Sequence, residues 1–111
     1  MQPSGELHIG NLEGALKNWV ALQDSFNMYC CIVDWHALTG DFENTSLLKE
    51  RVFQLAVDYL AAGLDPEKCA IFIQSDVKEH AELHLLFSMI ITVPTLTRLP
   101  TYVEKKNEKG L

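Results

Sequence analysis

The chain is expected to adopt an α/β fold, a parallel sheet with helices packed on both faces. Three observations carry this expectation. Segments with helical spacing alternate with short apolar runs, in the order helix, strand, helix, strand, helix, which implies right-handed crossovers between parallel strands. The two strand-like runs are almost unbroken in apolar residues, as in strands buried on both faces. A loop rich in turn formers, Gln2-Pro3-Ser4-Gly5, feeds directly into the first helical segment. That is the geometry of an anion site, because the first backbone N–H groups of a helix are free and its dipole is positive there.

Taken in order, the opening stretch runs Gln2-Pro3-Ser4-Gly5-Glu6-Leu7-His8-Ile9-Gly10-Asn11. His8 and Asn11 bring side-chain donors to the loop, and Gly10 removes a side chain where a ligand could approach the backbone. The plain structural account of the same residues stays open. Gly5 and Gly10 would serve turns, Asn11 would cap a helix, and His8 would be an ordinary surface histidine.

Asn11 to Ser25 reads as a helix, with Leu12, Ala15, Leu16, Trp19, Val20 and Leu22 at helical spacing and Glu13, Lys17 and Gln23 on the opposite face. Met28 to Val33 reads as the first strand, followed by Asp34-Trp35-His36 and a loop at Thr39-Gly40-Asp41. Asn44, Thr45 or Ser46 is expected to cap a second helix reaching about Ala62. Gly63 sits where a C-cap belongs, and Asp65-Pro66 stops the helix. Ala70 to Ile73 reads as the second strand, left by Gln74-Ser75-Asp76. Asp76 with Glu79 fits a capping box for a third helix through His80, Leu83, Leu86, Phe87 and Ile90, ended or kinked by Pro94. Residues 95–111 are more polar and read as exposed helix end or loop.

Composition bounds the function. A chain of 111 residues that is 48% hydrophobic is a packed domain of modest size. Its net charge of −6 excludes a general polybasic surface, though not one local RNA-facing patch. No apolar run is long enough to span a membrane, and the N-terminus lacks the pattern of a signal peptide. Cys30, Cys31 and Cys69 have neither an even count nor CxxC spacing, which reads as three reduced, buried thiols in a cytoplasmic protein rather than disulfides or a zinc site. His80 and His84 stand at i and i+4 but lack a third ligand, so no metal site is expected. Trp19 and Trp35 read as packing residues. Two strands are too few for a stable sheet of this kind, and a strand is expected before Gln2. The sequence therefore reads as a fragment of a larger domain.

The opening stretch resembles the signature of the class I aminoacyl-tRNA synthetases, whose usual form is His-Ile-Gly-His. The asparagine in the last place, the lead-in Gln2-Pro3-Ser4-Gly5, the follow-on Gly14 to Val20, and the blocks Ile32 to Thr39, Gly63 to Pro66 and Ile71 to Val77 resemble the tryptophan branch of that family. The resemblance covers essentially the whole chain. It implies a Rossmann-like catalytic domain, partial over residues 1–111, with about 95–111 opening the insertion through which the family dimerises; Arg98 would fall there. It implies an ATP-dependent ligase that activates tryptophan to the adenylate, with magnesium accompanying the ATP, and transfers it to tRNA(Trp). His8 and Asn11 would contact the ATP phosphates and ribose as the catalytic pair. Gly10 would leave room for the nucleotide, and Gln2 and Ser4 would line the same pocket. His36, and with it Gln2, would face the amino acid or its adenylate. Gln74 and Asp76, at the other strand end, read mainly as loop and cap, with substrate contact as the alternative. The family's lysine-bearing second signature, Lys-Met-Ser-Lys-Ser, is not in this sequence, so the chain alone is expected to be a poor catalyst or none. Three alternatives stay open: the tyrosine branch, a synthetase-like module that binds or dimerises without catalysis, and another nucleotidyltransferase with a similar loop.

Overall fold

The computed structural model describes residues 1–40 and 42–110, so Asp41 of the expected loop and Leu111 lie outside the described residues. The chain divides into two compact units, Met1–Lys78 and the residues from Glu79 onward.

The first unit is built on two parallel strands, β1 (Met28–Ile32) and β2 (Cys69–Ile73). They pair in register from Met28 opposite Cys69 to Ile32 opposite Ile73. Met1 continues the pattern on the other side of β1. Its amino group donates to the Cys31 carbonyl, and its carbonyl accepts from Val33 N–H at 3.0 Å. These are the two bonds of a parallel bridge to Ile32. Met1, Ile32 and Ile73 thus lie in one row, and Gln2, Val33 and Gln74 leave the sheet together at its carboxyl edge.

Helical structure before β1 begins earlier than expected, at Ile9 rather than Asn11. It runs as α1 (Ile9–Asn11), a π-helical turn (Leu12–Leu16) and α2 (Lys17–Leu22). After β1 comes a short helix that the strand-to-loop reading did not anticipate, α3 (Asp34–Ala37). The long helix α4 (Leu48–Ala61) starts without a side-chain cap, because its N-cap position falls on Leu47, and the Ser46 hydroxyl donates to Asn44 Oδ1 at 2.8 Å. Its other end follows expectation. Gly63 adopts φ +105°, Gly63 N–H bonds the Leu60 carbonyl at 3.0 Å, and Leu64 N–H bonds the Tyr59 carbonyl at 3.1 Å. These are the paired bonds of a Schellman motif.

The core joins Leu16, Cys30, Ile32, Leu55, Tyr59, Leu64 and Cys69, and Trp19 meets Tyr59 edge-on with ring centroids 5.7 Å apart. Cys30 and Ile32 alternate onto this face of the sheet. Tyr29, on the opposite face, is 76% exposed, so β1 is covered on one face and not on both. Cys31 lies on that second face and is half-buried, unlike the buried Cys30 and Cys69. Gln23, expected on the polar face, is buried. Its amide donates to Gly63 O at 3.0 Å and accepts from Asp65 N–H at 2.9 Å. Both ends of the buried amide are satisfied, and the end of α2 is tied to the turn after α4.

The second unit comprises α5 (Glu79–Ile90), α6 (Val93–Leu96) and α7 (Pro100–Lys109). Pro94 lies in the first turn of α6, where its missing N–H costs nothing, so α5 ends before it. The stretch expected as helix end or loop is largely α7, closed by Gly110 at φ +69°. None of the apolar residues of α5 is buried. No described helix is long and apolar enough to cross a membrane.

Candidate functional site

The loop from Gln2 to His8 is pinned by two apolar side chains. Pro3 is fully buried and Leu7 packs against the core. The polar residues between and beside them are left facing outward. Gln2 and Ser4 line a cleft of about 270 Å³ with Ala37, Leu38, Asn44 and Arg51. His8 lines a separate, open cleft of about 640 Å³ with Leu7, Ile9, Leu12 and Asp58. Gly10 and Asn11 lie at the helix start beside His8.

His8 and Asn11 cap the helix reciprocally. His8 Nδ1 accepts the Gly10 N–H at 3.1 Å, and Asn11 Oδ1 accepts the His8 N–H at 3.0 Å. The cap is therefore His8, and Asn11 reaches back to it in the manner of a capping box. This bond pattern assigns the chemistry of both side chains. A ring nitrogen that accepts a hydrogen bond carries no proton, so the neutral imidazole is protonated on Nε2. Asn11 spends its acceptor oxygen on the backbone and keeps its amino group as a donor. Both internal bonds use acceptor atoms, and the donor groups, His8 Nε2–H and Asn11 Nδ2–H₂, are left without a partner among the described residues. Gly10 belongs to the same device. A Cβ there would stand 2.9 Å from both Cε1 and Nδ1 of His8, so the glycine gives space to the capping imidazole. The π-turn follows at once, with Lys17 N–H reaching the Leu12 carbonyl. Such turns are frequent beside functional sites.

His36 lies away from this cap, exposed in α3 at the carboxyl edge of β1. Its backbone is held on both sides. Its N–H donates to Gln74 Oε1 at 3.1 Å, and its carbonyl accepts from Thr39 Oγ1 at 2.7 Å. The Asp34 carboxylate accepts the Ser75 N–H at 3.1 Å in return. Sequence reading placed Gln74 in a loop and gave Asp34 no role; no local pattern signals a bond across 38 or 41 residues. The structure thus brings Gln2 and Ser4 into one cleft and His8, Gly10 and Asn11 into one cap, with His36 on the same sheet edge by register. Among the described residues no cluster of three or more His, Cys, Asp or Glu is arranged to hold a metal ion.

A parallel sheet whose carboxyl edge carries a loop-to-helix turn defines an α/β protein of the class whose ligands bind outside the carboxyl ends of its strands. The comparisons with known proteins narrow that class. Residues 1–110 match the family described as tRNA synthetases class I (W and Y), and the chain belongs to that family. It is 56% identical over 109 residues to the tryptophan–tRNA ligase of Thermotoga maritima, covering 97% of this chain and 33% of the relative. It is 47% identical to that of Ralstonia nicotianae, covering 100% of this chain and 28% of the relative. Among solved structures, tryptophanyl-tRNA synthetase from Campylobacter jejuni, complexed with ADP and tryptophan, superposes with a TM-score of 0.88 at 39% identity. That match covers 100% of this chain and 34% of the other. The chain spans about a third of the length of the curated relatives it matches.

Proposed function

We propose that this chain is the amino-terminal part of the catalytic domain of a tryptophan–tRNA ligase and supplies one wall of its ATP site. The observation that carries the reading is the reciprocal cap, which leaves His8 Nε2–H and Asn11 Nδ2–H₂ as donors at the start of the helix. Adenylate formation suits such a wall. A carboxylate oxygen of tryptophan attacks the α-phosphorus, the bond to the bridging oxygen breaks, and pyrophosphate leaves. The protein need do little covalent chemistry; it positions the reactants and stabilises charge at phosphorus. His8 and Asn11 would donate to the phosphates and ribose, with Gly10 keeping the backbone open beside them. Gln2 and Ser4 would close the pocket from the loop, and His36 and Gln2 would face the amino acid. Magnesium would arrive with the ATP phosphates. The activated tryptophan would pass to tRNA(Trp) in the cytoplasm, in a homodimer to which residues 95–111 contribute. The names of the relatives, and the ADP and tryptophan held by the Campylobacter jejuni enzyme, support the same reading.

The test is amino-acid-dependent ATP–pyrophosphate exchange by the full-length protein. Exchange with tryptophan and not with tyrosine is expected. Exchange with tyrosine alone would move the protein to the other branch of its family, and no exchange with either would leave a non-catalytic module.

A further inference from the structure

We propose that Asp34 and Gln74 are positioning residues for His36, each capping the turn that ends the other's strand. The inference rests on the reading that His36 faces the amino-acid substrate. Both strands of the sheet run straight into a short helical turn, α3 after β1 and a 3₁₀ turn (Gln74–Asp76) after β2. Such turns leave their first N–H groups without partners, and a side-chain oxygen at the N-cap usually takes one. Here the N-cap residues are Val33 and Ile73, which have no oxygen to offer. The need is met across the sheet. Gln74, first residue of the 3₁₀ turn, accepts the N–H of His36 in α3 at 3.1 Å, and Asp34, first residue of α3, accepts the N–H of Ser75 at 3.1 Å.

The exchange locks two neighbouring strand ends together at the edge where ligands of α/β sheets bind. It also treats the His36 backbone and side chain differently. The N–H is fixed by Gln74 and the carbonyl by Thr39, while the exposed imidazole has no hydrogen-bond partner among the described residues. Fixing the backbone on both sides sets where the His36 Cβ projects from the strand end, which is the part of a ligand-contacting group's position that the fold can supply before substrate binds. Gln74 and Asp34 would then control where the imidazole meets the substrate without touching substrate themselves.

Steady-state pyrophosphate exchange in the full-length protein separates this role from simple structure. Gln74→Met keeps the length of the side chain and removes the acceptor. It is expected to raise KM for tryptophan roughly five- to tenfold, the equivalent of one lost hydrogen bond, with KM for ATP unchanged. Gln74→Glu, which keeps an acceptor oxygen, should restore KM to within about twofold. In a His36→Ala background, Gln74→Met should add nothing. Amide hydrogen exchange of His36 should accelerate in Gln74→Met and stay slow in Gln74→Glu. Four results overturn the proposal: KM for tryptophan unmoved by Gln74→Met, equal rises for ATP and tryptophan with a lowered melting temperature, the full effect persisting without His36, or no rescue by Gln74→Glu. If His36→Ala alone leaves KM for tryptophan unchanged, the reading of His36 fails and this proposal falls with it. If His36→Ala raises KM and Gln74→Met does not, only the positioning role is lost.

Discussion

His8 holds a helix cap with one ring nitrogen and offers a proton with the other, so its substitutions can be chosen to separate the two. His8→Ala loses both. The cap is worth about 1 kcal/mol of stability, whereas one preorganised donor at a reacting phosphorus is worth on the order of 10²–10³ in rate. His8→Asn supplies a capping oxygen without the Nε2–H. It should melt within a degree or two of the parent and still lose most of the exchange rate. A variant that keeps its rate would make His8 a structural cap alone. Gly10→Ala places a Cβ 2.9 Å from the same ring, so it should displace the imidazole, lower exchange and cost up to the cap's ~1 kcal/mol of stability. The thiols add a pH dependence. Burial, chiefly, and the neighbouring Cys69 push the Cys30 thiol up to about 11 from an ordinary value of 9.0, and burial raises the Tyr59 hydroxyl in the same direction. The folded state thus holds protons that the unfolded chain gives up. Stability from this source is complete below pH 9.0 and is lost as pH rises through about 11. Thermal melts from pH 9 upward should fall steadily, and Cys30→Ala should flatten part of that decline; an unchanged slope would show that Cys30 does not contribute.

Among the elements, the end of α4 is the most sharply defined. Gly63 at φ +105° closes the Schellman motif, and a Cβ there would meet Val20 Cγ1 at an ordinary 3.5 Å. The penalty for Gly63→Ala is therefore backbone strain rather than collision, about 1 kcal/mol, and should appear as a lower urea midpoint with the slope unchanged. This end was legible because glycine followed by Asp-Pro is a local signal with one physical meaning. The two strands were legible for a similar reason, since a five-residue apolar run between polar turns has few other uses. The start of α1 was not. His8 is a rare capping residue, and the sequence-based choice went to Asn11, whose side chain serves the same cap from inside. The π-turn has no compositional mark, and α3 is too short for periodicity to register. At the candidate site, the residues of the His8–Asn11 stretch were visible as a motif, but which atoms stay free is set by bonds that only the fold displays. Asp34 and Gln74 lie beyond sequence reading altogether, because their partners are 41 and 38 residues away.

For the molecule as a whole, the balance of buried and exposed apolar surface governs behaviour. The core is one small cluster on one face of a two-stranded sheet. Tyr29 is 76% exposed on the other face, and Leu85, Leu86, Phe87, Met89 and Ile90 of α5 are each more than half exposed. Large exposed apolar side chains in such number mark places where further protein packs, and the relatives are about three times as long as this chain. The 111-residue chain in isolation should therefore bind hydrophobic dyes such as ANS and self-associate with rising concentration, as read by light scattering. It should also show no measurable tryptophan-dependent exchange. On the proposed reading it would offer donors from one side of the phosphates only, and each preorganised donor lacking on the other side would cost roughly 10²–10³ in rate. Two such losses place the chain below about 10⁻⁴ of the full-length rate. A monomeric chain that binds no dye would show that these faces are satisfied without further protein. Exchange above that level would show that the His8–Asn11 wall and the Gln2–Ser4 cleft suffice for the chemistry by themselves.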